Sequence, residues 1–217
     1  MQYKTKLMSV AAGSLALVGT FAFTAATSAA PSIDGSDART VTVGGQLNPL
    51  NNSGAAGHAR VDARRMRLHV AVDARGVVRG VPHAMHIHFG PEARHECPNV
   101  AMDDSNGDFR IETLEGAPAY GPVRASLTKR GDTSPDSVLA VDRFPTAPRG
   151  MIHYDRTIRV GSPLAHAVRN GKALVVIHGV DYNGNGMYDF DSAGASDLNP
   201  DLPAEATDPA VCGILHK

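Results

Sequence analysis

The stretch MRLHVAVDARGVVRGV, Met66 to Val81, alternates apolar and polar side chains. Leu68, Val70 and Val72 fall on every second position, which on an extended chain puts them on one face. The run breaks at DARG, a turn-forming composition, so it reads as two strands joined there. The same rhythm recurs outward in both directions, in RTVTVGGQL, AMHIH, PVRASLT, SVLAVDR, RTIRV and ALVVIHGV. Short strands at close spacing, broken by Gly, Asp, Asn and Pro, predict an all-β fold. The expected architecture is an antiparallel Greek-key sandwich or barrel with long loops. One short helix is expected at SPLAHAVRNG, capped by Ser162, with Pro163 in its first turn and Gly171 closing it.

The ends of the chain bound its class. Residues 1–30 carry Lys4 and Lys6, a long uncharged apolar run and a tail of small residues, the pattern of a secretory signal peptide. A transmembrane anchor is the alternative, and the run lacks the basic flank that would favour it. Residues 31–38 read as a flexible lead-in, and residues 39–217 as one domain with a full core. The mature protein is expected to be secreted, extracellular, periplasmic or cell-surface, without a membrane span. Loss of the two lysines takes the formal charge from −1 to −3, and no basic block remains to recruit nucleic acid. Cys97 and Cys212, an even pair in an oxidising compartment, predict a disulfide; two thiolates on a soft metal are the weaker option.

Just beyond the opening stretch, VPHAMHIHFG places three histidines within six residues, His83, His86 and His88. Side chains two apart on a strand share a face, so His86 and His88 are aimed alike and His83 lies on the other side. His178, at the end of ALVVIH, is the candidate third partner. Three imidazoles suit copper or zinc. A metal-free histidine cluster is the bland alternative. His58, His69, His166 and His216 read as surface or loop residues.

HAMHIHFG resembles the His-x-x-His-x-His segment of copper–zinc superoxide dismutases. Cys97 after it, LVVIHG later, and the ending VCGIL resemble that family's first cysteine, later copper-ligand strand and second cysteine, in the same order. The resemblance is detailed over residues 83–97, 173–178 and 211–215. It implies a superoxide-dismutase-like fold, copper on His86, His88 and His178, a structural role for His83, and superoxide as substrate.

Departures from the family pattern are equally specific. Asp103 stands where the family has its bridging histidine, and no histidine occurs between Cys97 and Ile152, so the family's zinc site is missing. A fourth copper ligand would have to be His95, His153, Asp103 or water. Pro209 replaces the arginine that draws superoxide in, in an acidic neighbourhood that repels anions. Arg94, Arg149 and Arg156 are the candidate substitutes.

Two acidic loops resemble calcium loops. DSNGDFRIETLE offers Asp104, Asn106, Asp108, Glu112 and Glu115, with Phe109 where Gly is preferred and no flanking helix evident. DYNGNGMYDFDS offers Asp181, Asn183, Asn185 and Asp189, with Asp191 nearby. Solvated turns are the commoner use of such residues. The expected function is an exported, single-copper protein that carries out superoxide dismutation. The alternative is a non-enzymatic metal-binding or calcium-stabilised binding protein on the same fold. No nucleophile elbow and no separate carboxylate pair supports a hydrolase.

Overall fold

The computed structural model describes residues 39–217; the signal-peptide expectation and the segment 31–38 lie outside them. Eight strands form one curled antiparallel sheet. They are β1 (Val41–Pro49), β2 (Ala56–Arg64), β3 (Arg67–Arg75), β4 (Met85–His88), β5 (Val123–Ser126), β6 (Met151–Arg159), β7 (Leu174–His178) and β8 (Pro209–Ile214). Their spatial order is β5-β4-β7-β8-β1-β2-β3-β6. The all-β, barrel-like class expected from the alternation is the class observed. The two end strands are not left apart: from β6, Tyr154 and Arg156 donate to the Thr128 carbonyl just past β5.

Alternation explains β3 directly. Leu68, Val70, Val72 and Ala74 are buried, and the residues between them face solvent or its margin. They pack with Val61, Ile152, Tyr154 and Ile158 from the flanking strands. The second strand expected at GVVRGV does not form. Gly76 and Gly80 both take positive φ, 77° and 79°, which turns the chain out of the ladder. SVLAVDR is not a strand either. It folds as two 3-10 turns, Pro135–Ser137 and Val141–Arg143, started where Ser134 Oγ accepts the Asp136 N–H.

Four helices interrupt the strands: α1 (Val100–Asp103), α2 (Thr113–Tyr120), α3 (Ser162–Arg169) and α4 (Ala204–Thr207). The expected helix is α3, but its N-cap is Gly161 rather than Ser162, which starts the helix without a side-chain cap bond. Its end is the one expected. Gly171, at φ 71°, donates to the Val168 carbonyl while Lys172 donates to that of Ala167, a Schellman closure.

Strands β4, β7 and β8 are buried on both faces, unlike β3. One face, with Ile87, Val175, Ile177 and Val211, joins the main core. The other carries Leu174, Val176 and Cys212, which pack beneath Tyr120 of α2 in a satellite core. The predicted disulfide is present: Cys97 bonds Cys212 across a sequence separation of 115. Among the described residues no helix is long and apolar enough to cross a membrane.

Candidate metal centre

Register brings the three histidines to the satellite-core side of the sheet. β4 pairs with β7 so that His86 faces Val176 and His88 faces Leu174. His178 is two residues beyond Val176, so it returns to the face that Val176 occupies. A register shift between Ile177 and His178 falls at the strand end. The rings stand 5.2 to 6.2 Å apart, centroid to centroid. One donor nitrogen from each lies within 4.8 Å of the other two, the one convergent set of three such groups among the described residues.

Each ring is held through its other nitrogen. His86 Nε2 donates to the Val138 carbonyl at 3.2 Å, His88 Nδ1 to Gly121 at 2.8 Å, and His178 Nδ1 to Thr207. A neutral imidazole has one N–H, so these bonds assign the remaining nitrogens as lone pairs. Those nitrogens, His86 Nδ1, His88 Nε2 and His178 Nε2, are buried without a protein partner. A buried unpaired acceptor costs about 1–3 kcal/mol, so three side by side require an occupant or a purpose. Backbone carbonyls that fix the tautomer of ligand histidines are the usual outer support of a metal site. Ligands of a four-coordinate ion at about 2.0–2.1 Å stand about 3.4 Å apart, and these nitrogens lie within 4.8 Å of one another. The cluster can hold a metal ion.

Burial keeps the triad neutral. It lowers His88 to about 3, with the charge of His178 adding to it, and His178 to about 4. Burial likewise puts His86 well below the ordinary range, with His178 and His88 adding to it. In the metal-free protein the unfolded chain therefore binds more protons than the folded one below about pH 6.5. Stability contributed by these groups is complete above that pH and is lost as pH falls toward the folded values. Each histidine contributes a slope of about 1.4 kcal/mol per pH unit, so three give about 4 kcal/mol per unit. Urea midpoints taken from pH 7.5 to 4.5 should fall steeply below 6.5; a flat profile would contradict neutral burial.

His83 does a different job. Its Nδ1 lies 2.9 Å from Tyr188 Oη and 3.0 Å from the His178 carbonyl, and its Nε2 lies 2.9 Å from the Val78 carbonyl. It ties the loop after β3 and the second acidic loop to the end of β7. Gly179, at φ 115°, makes room for this junction: a Cβ there would stand 1.9 Å from Tyr188 Oη and 2.9 Å from His83 Nδ1. Gly179→Ala is expected to cost about 3 kcal/mol through overpacking and backbone strain. Thermal unfolding checks it, and an unchanged midpoint would mean that Tyr188 moves aside without cost.

None of the fourth-ligand candidates joins the triad. His95 stacks on Phe89 with centroids 5.4 Å apart. His153 lies exposed on β6 and bonds Asp73 at 2.6 Å. Asp103 is buried in α1, held by Arg94 at 2.6 Å and by the Asn99 N–H. Arg94 is further committed to Glu96, and Arg156 to the Thr128 and Gly131 carbonyls.

The two acidic loops share one backbone design. Asp104 accepts the N–H groups of Gly107, Asp108 and Phe109; Asp181 accepts those of Gly184, Asn185 and Gly186. Asn106 accepts from the Asp108 N–H as Asn183 does from that of Asn185. Their charge differs. Arg110 lies 2.7 Å from Asp108, 2.7 Å from Asp208 and against Glu112, while Glu115 accepts from the Ser105 N–H and hydroxyl with one oxygen and completes the capping box of α2 with the other. Short helices thus flank the first loop, which the sequence did not show. Asp189 is bonded by the amides of Asn183 and Asn185, and the buried Glu205 accepts from Tyr182, Asp189 and Ser192 to brace the loop from beneath.

Above the triad opens a cleft of about 220 Å³. Leu114 of α2, Leu139 between the 3-10 turns and Leu198 from the loop after β7 line it, with Tyr120 and Val138 deeper in. No charged side chain lines it. Neither these walls nor the Val138, Gly121 and Thr207 carbonyls had a signal in the sequence, since a carbonyl acts the same in any residue. Comparison of the chain with protein-family models and with curated proteins finds no match.

Proposed function

We propose that the protein is an exported, superoxide-dismutase-like copper protein, with one ion held by His86, His88 and His178. Three convergent, buried and unpartnered imidazole nitrogens carry the reading. Neutral imidazoles favour copper above zinc among the divalent first-row ions. Copper would supply one-electron chemistry between Cu(II) and Cu(I) when bound. The chain's part is to hold the three rings in one tautomer, shelter them under Tyr120 and Leu139, and leave the cleft side open. The intact disulfide suits an oxidising compartment.

Efficient superoxide dismutation has less support than copper binding. Pro209, in the place of the family's guiding arginine, is buried in β8 opposite His178. The cleft walls carry no cation to attract an anion. Calcium is favoured in the second acidic loop over the first, because Arg110 already pairs with Asp108 and Glu112 of the first. The test is metal analysis of the disulfide-bonded protein after equilibration with copper and calcium. One tightly held copper per chain is expected. No specific copper would remove the reading, and loaded protein without superoxide turnover above free-copper controls would confine it to binding.

A further inference from the structure

The cleft says what kind of molecule approaches the triad. Leu114, Leu139 and Leu198 are three of the eleven large apolar side chains exposed among the described residues, at 54%, 36% and 37%. They come from three separate segments and meet at one mouth. Behind them the walls are apolar as far as the histidine lone pairs. Arg110, which reaches Asp208 beside Thr207, is spent on three carboxylates, and Arg94, whose backbone N–H bonds Pro118 of α2, on two. The charge placed beside the rim is negative: Asp197 accepts the Leu114 N–H at 2.6 Å and precedes Leu198 in the chain. An anion entering here would shed water without meeting a cation.

We propose that this cleft admits a small uncharged molecule, about the size of one aromatic ring, with an apolar body against the leucines and a donor atom toward His86, His88 and His178, and that it disfavours anions. The volume fits: a dry apolar cavity of about 150 Å³ accepts benzene in an engineered protein, and this one is somewhat larger. The donor-atom end rests on the copper reading; the preference for neutral, apolar bodies belongs to the walls and stands without metal.

The test uses the disulfide-bonded protein in two states. In the metal-free state, toluene and benzoate are titrated separately while leucine-methyl and histidine resonances are followed by NMR. Toluene should shift Leu114, Leu139 and Leu198 saturably, with benzoate about tenfold weaker or more for want of a partner to its charge. Leu114→Lys, on an exposed helix face, should narrow or reverse that ratio. In the copper-loaded state at pH 7.5, neutral 4-methylpyridine should change the copper EPR spectrum at concentrations where azide does not. Benzoate binding as well as toluene, or neither binding, would overturn the proposal. So would methyl shifts that follow protein concentration alone, which would place a second copy over the cleft. Copper that fails to bind while toluene keeps its preference overturns the metal reading and the donor-atom end, and leaves the wall preference supported. Copper that binds without ligand discrimination does the reverse.

Discussion

On the copper reading, His86→Ala/His88→Ala is expected to lower copper affinity at least about a hundredfold below the parent protein. Loss of an outer carbonyl partner alone typically costs 10–100-fold in metal affinity, and this variant removes two ligands outright. His178 would remain with its Nδ1 held by Thr207, a single imidazole in an apolar pocket. Truncation also leaves a cavity beneath Phe144, against which His86 packs edge-on at 5.4 Å. A fold readout must therefore accompany the metal analysis. His178→Gln supplies it, since it removes the third donor from the opposite strand while keeping volume and polarity. If both variants remain folded and both lose copper, the triad is the site. If either retains stoichiometric copper, the ion sits elsewhere and the orphaned nitrogens need another explanation. Acid titration of the metal-free variants gives an independent check. Removing the neutral histidines should flatten the stability loss below pH 6.5, whatever metal binds.

Cys97→Ala/Cys212→Ala has the second-largest expected effect, on stability first and on metal second. The bond closes a loop of 115 residues, for which the chain-entropy model gives about 4–5 kcal/mol. In a domain of this size that corresponds to a fall of about 8–20 °C in the thermal midpoint. The second effect is local. The segment from Phe89 to Cys97 laces to the end of α2, through Phe89 N–H to the Pro122 carbonyl, Arg94 N–H to Pro118 and Glu96 N–H to Ala119. That lacing frames Gly121, whose carbonyl fixes the tautomer of His88. Loosening it should weaken copper binding about 10–100-fold even in molecules that stay folded. Calorimetry and a copper competition titration separate the two effects. Unchanged affinity at reduced stability would show that α2 holds Gly121 without help from the bond.

Much of this was legible from residue spacing, and the exceptions have physical causes. β2 has no clear signal because its buried residues are Ala59, Val61 and Ala63, two of them too small to mark an apolar face in a run that contains Gly57 and three charged residues. SVLAVDR has the alternation of a strand but finds no ladder partner, and 3-10 turns satisfy its backbone locally. α2 was hidden by Gly116 and Pro118 inside it; Gly116 is needed because a Cβ there would lie 2.4 Å from the Tyr120 ring.

By itself the sequence determined the β3 alternation, the shared face of His86 and His88, and the availability of two cysteines for one bond. These depend on the two-residue period of extended chain and on counting. Only the tertiary structure decided that His178 joins them, because strand register is set by pairing between segments about ninety residues apart. It also decided which nitrogen of each ring is free, through carbonyls of Val138, Gly121 and Thr207 delivered by three distant segments. And it decided that the approach is apolar: three leucines with no common sequence pattern share one mouth because the chain folds them there.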